Sequence, residues 1–123
     1  MTTQVLIVGA GPTGLVLAIA LARRGVAVRI IDHNSGPGQA SRAMAVHART
    51  LEFYRQLGFA EVVINQGIPI QAIHLREHGR DTAELPLKDI GAGLSPYPFV
   101  LAFPQDDHER LLVAQLQAEG VQV

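Results

Sequence analysis

Val5-Leu6-Ile7-Val8 is an unbroken apolar run, and a run of this kind predicts a short strand buried on both faces of a parallel sheet. Thr13 to Arg24 is apolar and rich in alanine (Ala18, Ala20, Ala22), which predicts a helix packed tightly on that sheet. Pro12 suits its first turn and Gly25 its C-terminal cap. Val26-Ala27-Val28-Arg29-Ile30-Ile31 is again apolar and predicts the second strand. The three elements make a βαβ unit, so the expected fold class is α/β, Rossmann-like.

Beyond Ile31 the pattern loosens. His33 to Ser41 is a polar, glycine-rich loop, and the later part of Arg42 to Glu52 reads as a helix continuing to Gly58. Gln71-Ala72-Ile73-His74-Leu75-Arg76 alternates polar and apolar positions, His78-Gly79-Arg80 can turn, and Thr82 to Leu85 can return as the second strand of an antiparallel pair. After a loop holding Gly91, Gly93, Pro96 and Pro98, Phe99 to Phe103 predicts another strand. Pro104 to Glu109 predicts a helix start with Asp106 and Glu109 spaced as a capping pair. Leu111, Leu112 and Leu116 share one face of that helix, Gly120 ends it, and Val121-Gln122-Val123 reads as the beginning of a further strand.

Composition narrows the classes. At 123 residues, 48% hydrophobic and a formal charge of −1, the chain is expected to make one soluble globular domain at most, without the basic excess that nucleic-acid binding calls for. The absence of cysteine excludes disulfides, thiolate metal sites and thiol catalysis. Arg23, Arg24 and Arg29 interrupt the only long apolar stretch, so no membrane span is expected and the cytoplasm is the expected compartment. No repeat, low-complexity tract or linker divides the chain.

The chemistry concentrates at the first strand-to-helix turn. Gly9 can make the tight turn off the strand, Gly11 leaves room for a pyrophosphate to approach the backbone, and Gly14 lets the helix lie close to the sheet. The N–H groups and dipole of a helix beginning at Pro12 and Thr13 would face those phosphates. Asp32, at the end of the second strand, can accept hydrogen bonds from both ribose hydroxyls of an adenosine and disfavours a 2′-phosphate, which points to FAD or NAD rather than NADP at this site. The plainer alternative has Asp32 capping a turn into His33-Asn34-Ser35-Gly36 and the glycines serving an ordinary turn. Arg42 and Arg49 flank a helix start where planar, bidentate donors can add phosphate contacts, or they are a solvated pair on an amphipathic helix.

The Gly9-Gly11-Gly14 turn, Asp32, Arg42-Ala43, Arg49-Thr50-Leu51-Glu52, and Pro104-Gln105 followed by Glu109-Arg110-Leu111-Leu112 together resemble the N-terminal part of the single-component FAD-dependent aromatic hydroxylases. This is the group of para-hydroxybenzoate hydroxylase, and the resemblance is greatest to its polyketide and phenol hydroxylase branch. It implies an FAD-binding fold, incomplete within these residues, with 1–123 as its N-terminal portion and about 71–103 as an excursion into a substrate-covering sheet. By position it assigns Gly9, Gly11, Pro12, Thr13, Gly14 and Asp32 to the ADP half of FAD, Arg42 and Arg49 to the phosphates and the nicotinamide approach, and Gln105 to the ribityl side. It further implies NAD(P)H as reductant and a small aromatic substrate hydroxylated with O2, in a longer parent whose later motifs complete the site.

No catalytic side chain is assigned, in keeping with chemistry carried by a flavin. His74 and His78 are spaced too far apart on a strand to share a metal, Ser41 and Ser95 lack histidine and acid partners in sequence, and His33, His47 and His108 read as solvated or capping. Two other classes stay open: a non-catalytic nucleotide-binding or interaction module, and an NAD-dependent dehydrogenase that would leave Arg42 to Glu52 and Gln105 without a use. A sheet ending at Val123 is expected to expose an apolar edge, so that these residues either self-associate through it or are the ordered part of something longer, and in either case to hold FAD weakly or not at all.

Overall fold

The computed structural model describes residues 2–38 and 45–123. In chain order the elements are β1 (Val5–Val8), α1 (Pro12–Arg23), β2 (Val28–Ile31), β3 (Ala45–Val46), α2 (Ala48–Leu57), α3 (Ala60–Gln66), β4 (Ile68–Pro69), β5 (Ala72–Glu77), β6 (Arg80–Pro86), β7 (Leu101–Ala102) and α4 (Gln105–Ala118). They form two compact units, one drawn from Met1–Ala43 with Pro104–Val123 and the other from Met44–Phe103.

In the first unit β1 and β2 pair in parallel with Val5 opposite Val28 and Val8 opposite Ile31. Helix α1 covers one face with Leu15, Ala18 and Ile19, spaced three and four apart, and α4 packs beside it through Leu111, Leu112 and Leu116. Ile7 and Ile30 point into this core. The expectation that β1 is buried on both faces is corrected: Leu6 is 56% and Val8 77% exposed, because only one side of the β1–β2 pair is covered among the described residues. The alternation in–out along β1 follows from strand periodicity alone. The second strand is also shorter than its apolar run, since Val26 N–H turns back to the carbonyl of Leu21 and closes α1. Gly25 N–H bonds the carbonyl of Ala22 in the same motif, and Gly58 and Gly120 end α2 and α4 in the same way. At the end of α4, Val121 N–H likewise returns to Leu116, so Val121-Gln122-Val123 forms no strand.

Helix α4 begins two residues earlier than its capping signal. Its N-cap is Pro104, Asp106 lies inside the first turn, and Asp106 and Glu109 make no capping box. Asp106 Oδ2 instead meets Arg110 Nη1 at 3.3 Å, one turn on. His108, expected to be solvated or capping, is buried, and burial holds its imidazole below the ordinary histidine value.

The second unit carries two small sheets. β7 is the middle strand of one, antiparallel to both β3 and β4, and spans only Leu101–Ala102 of the apolar run Phe99 to Phe103. β5 and β6 form the expected hairpin, whose two-residue turn holds His78 at φ +50° and Gly79 at φ +77°. Two successive positive φ values define the turn whose twist matches that of the paired strands. The α2–α3 core is built on Leu51, Tyr54, Leu57, Phe59 and Val63, with the Tyr54 and Phe59 rings 4.9 Å apart.

Candidate functional site: the β1–α1 turn and the Asp32 carboxylate

The chain leaves β1 through Gly9, whose φ of +110° is open to glycine and strained for any residue with a Cβ. Gly9 N–H is fixed to the carbonyl of Ile31 at 2.8 Å, which ties the turn to the end of β2. A Cβ on Gly14 would run into the carbonyl oxygen of Gly9, so α1 can lie this close to the strand only with glycine there. Gly11 is different. It caps α1 in an extended conformation, and a Cβ there would meet nothing within 4 Å. The space in front of it is open to a ligand.

The first turn of α1 has neither a side-chain cap nor an acidic residue, and Pro12 contributes no N–H. The N–H groups of Thr13 and Gly14 have no acceptor within the helix, and the helix dipole adds positive potential around them. This is an anion cradle made of backbone.

Asp32 closes the other side. Its Oδ2 accepts Ala10 N–H at 2.7 Å and its Oδ1 accepts Asn34 N–H at 2.8 Å. The first of these, then the second, holds the carboxyl below the ordinary aspartate value. Each oxygen keeps a further lone pair, which suits two vicinal hydroxyls. Because the folded value is the lower one, the stabilisation is complete above the ordinary aspartate pKa of about 3.9 and is lost as pH falls through the folded value. The stability difference between the wild type and Asp32→Asn, followed by thermal melting, is therefore expected to hold steady down to about pH 4.5 and shrink below it.

Gln105 is the first residue of α4, and its Nε2 donates to Glu109 Oε1 at 2.8 Å. Glu109 is a buried carboxylate whose other oxygen accepts Gly38 N–H at 3.2 Å. In the sequence Glu109 stands out only as a capping candidate and as part of the Glu109-Arg110-Leu111-Leu112 run. The spacing of four from Gln105 is the one signal that could have found it; its partner in the loop after Asp32 is 71 residues away. Arg49 lies on α2 in the second unit, well exposed, with Nη1 3.2 Å from Glu52 Oε2. Ser95 hydrogen-bonds Glu52 and, with Arg49, holds that carboxyl below the ordinary glutamate value. Arg42 and Ser41 fall outside the described residues. His74 Nδ1 pairs with Asp81 at 3.3 Å, and among the described residues no three acidic, histidine or cysteine side chains come together as a metal site. Among the described residues no helix is long and apolar enough to cross a membrane.

A glycine turn against a helix N-terminus with a strand-end carboxylate beside it is the arrangement in which βαβ units of the Rossmann type hold dinucleotides. The chain belongs to the FAD binding domain family, which it matches over residues 2–123. It is 45% identical over 122 residues to 6-methylpretetramide 4-monooxygenase of Streptomyces rimosus, covering 96% of this chain and 21% of that protein. It is 36% identical over 114 residues to pentachlorophenol 4-monooxygenase of Sphingobium chlorophenolicum, covering 93% and 21%. Among solved structures, the flavin-dependent monooxygenase PieE in complex with FAD and substrate superposes with a TM-score of 0.85 at 29% identity, covering 99% of this chain and 24% of that one. The chain thus spans about a fifth of the length of these curated relatives.

Proposed function

We propose that this chain holds the ADP half of FAD in a flavin-dependent monooxygenase that hydroxylates a small aromatic substrate, with NAD(P)H as reductant. The observation that carries the reading is the backbone cradle at Gly9–Gly14 with the Asp32 carboxylate bonded into its rim at Ala10. Gly9, Gly11, Pro12, Thr13 and Gly14 form the turn that receives the pyrophosphate, Gly9 and Pro12 shaping it and the free N–H groups of Thr13 and Gly14 facing the phosphates, and Asp32 takes the adenosine ribose. Gln105 takes the ribityl side, and Arg42 and Arg49 take the phosphates and the nicotinamide approach; for these the support is the resemblance to the aromatic hydroxylases. The region about 71–103 contributes to the substrate-covering sheet, for which the solvent-facing hairpin β5–β6 is the support.

Bound FAD supplies the redox chemistry with oxygen; the protein's own groups bind, orient and exclude water. NAD(P)H is a cytoplasmic reductant, and we place the protein there. Leu6 and Val8, exposed beside the edges that stay unpaired among the described residues in the β1–β2 sheet, support self-association of the isolated chain by edge pairing.

The test is a flavin titration of this chain, with oxygen uptake and NAD(P)H oxidation measured on phenolic substrates in the protein that carries it. Little or no quenching of FAD fluorescence by the chain alone, and, in the protein that carries it, tight flavin binding with coupled oxidation giving a hydroxylated phenol, are expected. FAD binding without any hydroxylated product would assign a non-catalytic module instead.

A further inference from the structure

Glu109 stands out among the charged groups of the first unit. It is only 8% exposed, and among the described residues its oxygens accept Gln105 Nε2–H at 2.8 Å and Gly38 N–H at 3.2 Å. A buried carboxylate costs solvation, and neutral donors compensate it only when their geometry is held. This one joins two segments far apart in sequence. Gly38 lies in the loop that follows Asp32, and Gln105 is the first residue of α4.

We propose that Glu109 is a positioning residue of the cofactor site, acting through Gln105 and Gly38 without itself touching the ligand. The proposal rests on the FAD-binding reading given above. Two physical consequences of the carboxylate support it. A carboxylate accepts and never donates, so it obliges the Gln105 amide to present its nitrogen, and thereby turns the amide oxygen to the opposite side. A Gln side chain free to flip would present either end. The second consequence concerns the loop. Asp32 Oδ1 fixes the start of the loop at Asn34 N–H, and Glu109 Oε2 fixes it again at Gly38 N–H. Residues 33–38 are therefore held at both ends by carboxylates, one from β2 and one from α4. A loop tied in this way loses its conformational entropy during folding and not when the ligand arrives.

The experiment compares the wild type, Glu109→Gln, Gln105→Met and the double variant, each in the protein that carries this chain, read by FAD titration, thermal melting and amide exchange over residues 33–38. Glu109→Gln keeps the volume but turns one bond into a donor facing a donor. It is expected to weaken FAD binding about tenfold and speed exchange at Gly38, with the melting temperature little changed. Gln105→Met is expected to weaken binding with no change at Gly38, and the double variant to bind no worse than about the Glu109→Gln variant. A Glu109→Gln protein that binds FAD as the wild type does, or losses that simply add in the double variant, overturns the positioning role. A wild type that binds no FAD overturns the cofactor reading itself, and the positioning role with it.

Discussion

Gly14→Ala is expected to destabilise the first unit by about 3 kcal/mol, the upper part of what overpacking a close contact costs. The added carbon meets the Gly9 carbonyl oxygen, the Gly9 carbonyl carbon at 3.2 Å and Ile7 Cγ2 at 3.3 Å. None of these can step aside cheaply, because Gly9 is tied to Ile31 and Ile7 is in the core. For a chain of this size that loss lowers the melting temperature by roughly 10 °C or more, and circular dichroism on heating checks it. Gly11→Ala is the matching control. Its Cβ enters open space and its backbone is extended, so stability should change by less than about 1 kcal/mol. Yet the same carbon would stand where the pyrophosphate is proposed to approach, so FAD affinity should fall. Equal melting temperatures for the two variants would contradict the close approach of α1 to the turn.

Asp32→Asn is expected to weaken FAD binding between about tenfold and a hundredfold, the range set by losing hydrogen bonds to a charged acceptor. The carboxylate already accepts Ala10 N–H and Asn34 N–H through different oxygens. An asparagine amide must turn its nitrogen toward one of those two donors, so the variant loses a backbone anchor as well as the charge that the ribose hydroxyls would meet. Fluorescence titration with FAD reads the effect directly. An unchanged dissociation constant would return Asp32 to the role of a turn cap.

The site was legible where local sequence decides the geometry. The spacing of Gly9, Gly11 and Gly14 and the position of Asp32 at the end of an apolar run specify a turn, a close helix and a carboxylate within one βαβ unit, and the structure brings them together. The hairpin was legible for the same reason, since alternation from Ile73 to Leu75 and the His78-Gly79 turn are both local. What escaped depends on distant partners. Leu6 and Val8 read as buried because an apolar run carries no sign of whether both faces will be covered. The two-residue strands β3 and β4 exist only through pairing with β7 and have no periodicity of their own. α3, with Val62, Val63 and Ile64 in seven residues, is stabilised by packing rather than propensity. Asp106 and Glu109 matched a capping pattern, but the helix began at Gln105, and Glu109 found its partners in the loop at Gly38 and one turn back.

Recognition of the ADP half of FAD is read by competition calorimetry or fluorescence with FAD, ADP and FMN on the protein that carries this chain. ADP is expected to displace FAD, and FMN, which lacks the adenosine that Asp32 would hold, is expected to displace none at the same concentration. FMN competing as well as ADP, or ADP failing to compete, would contradict the assignment of the Gly9–Gly14 turn and Asp32 to the dinucleotide.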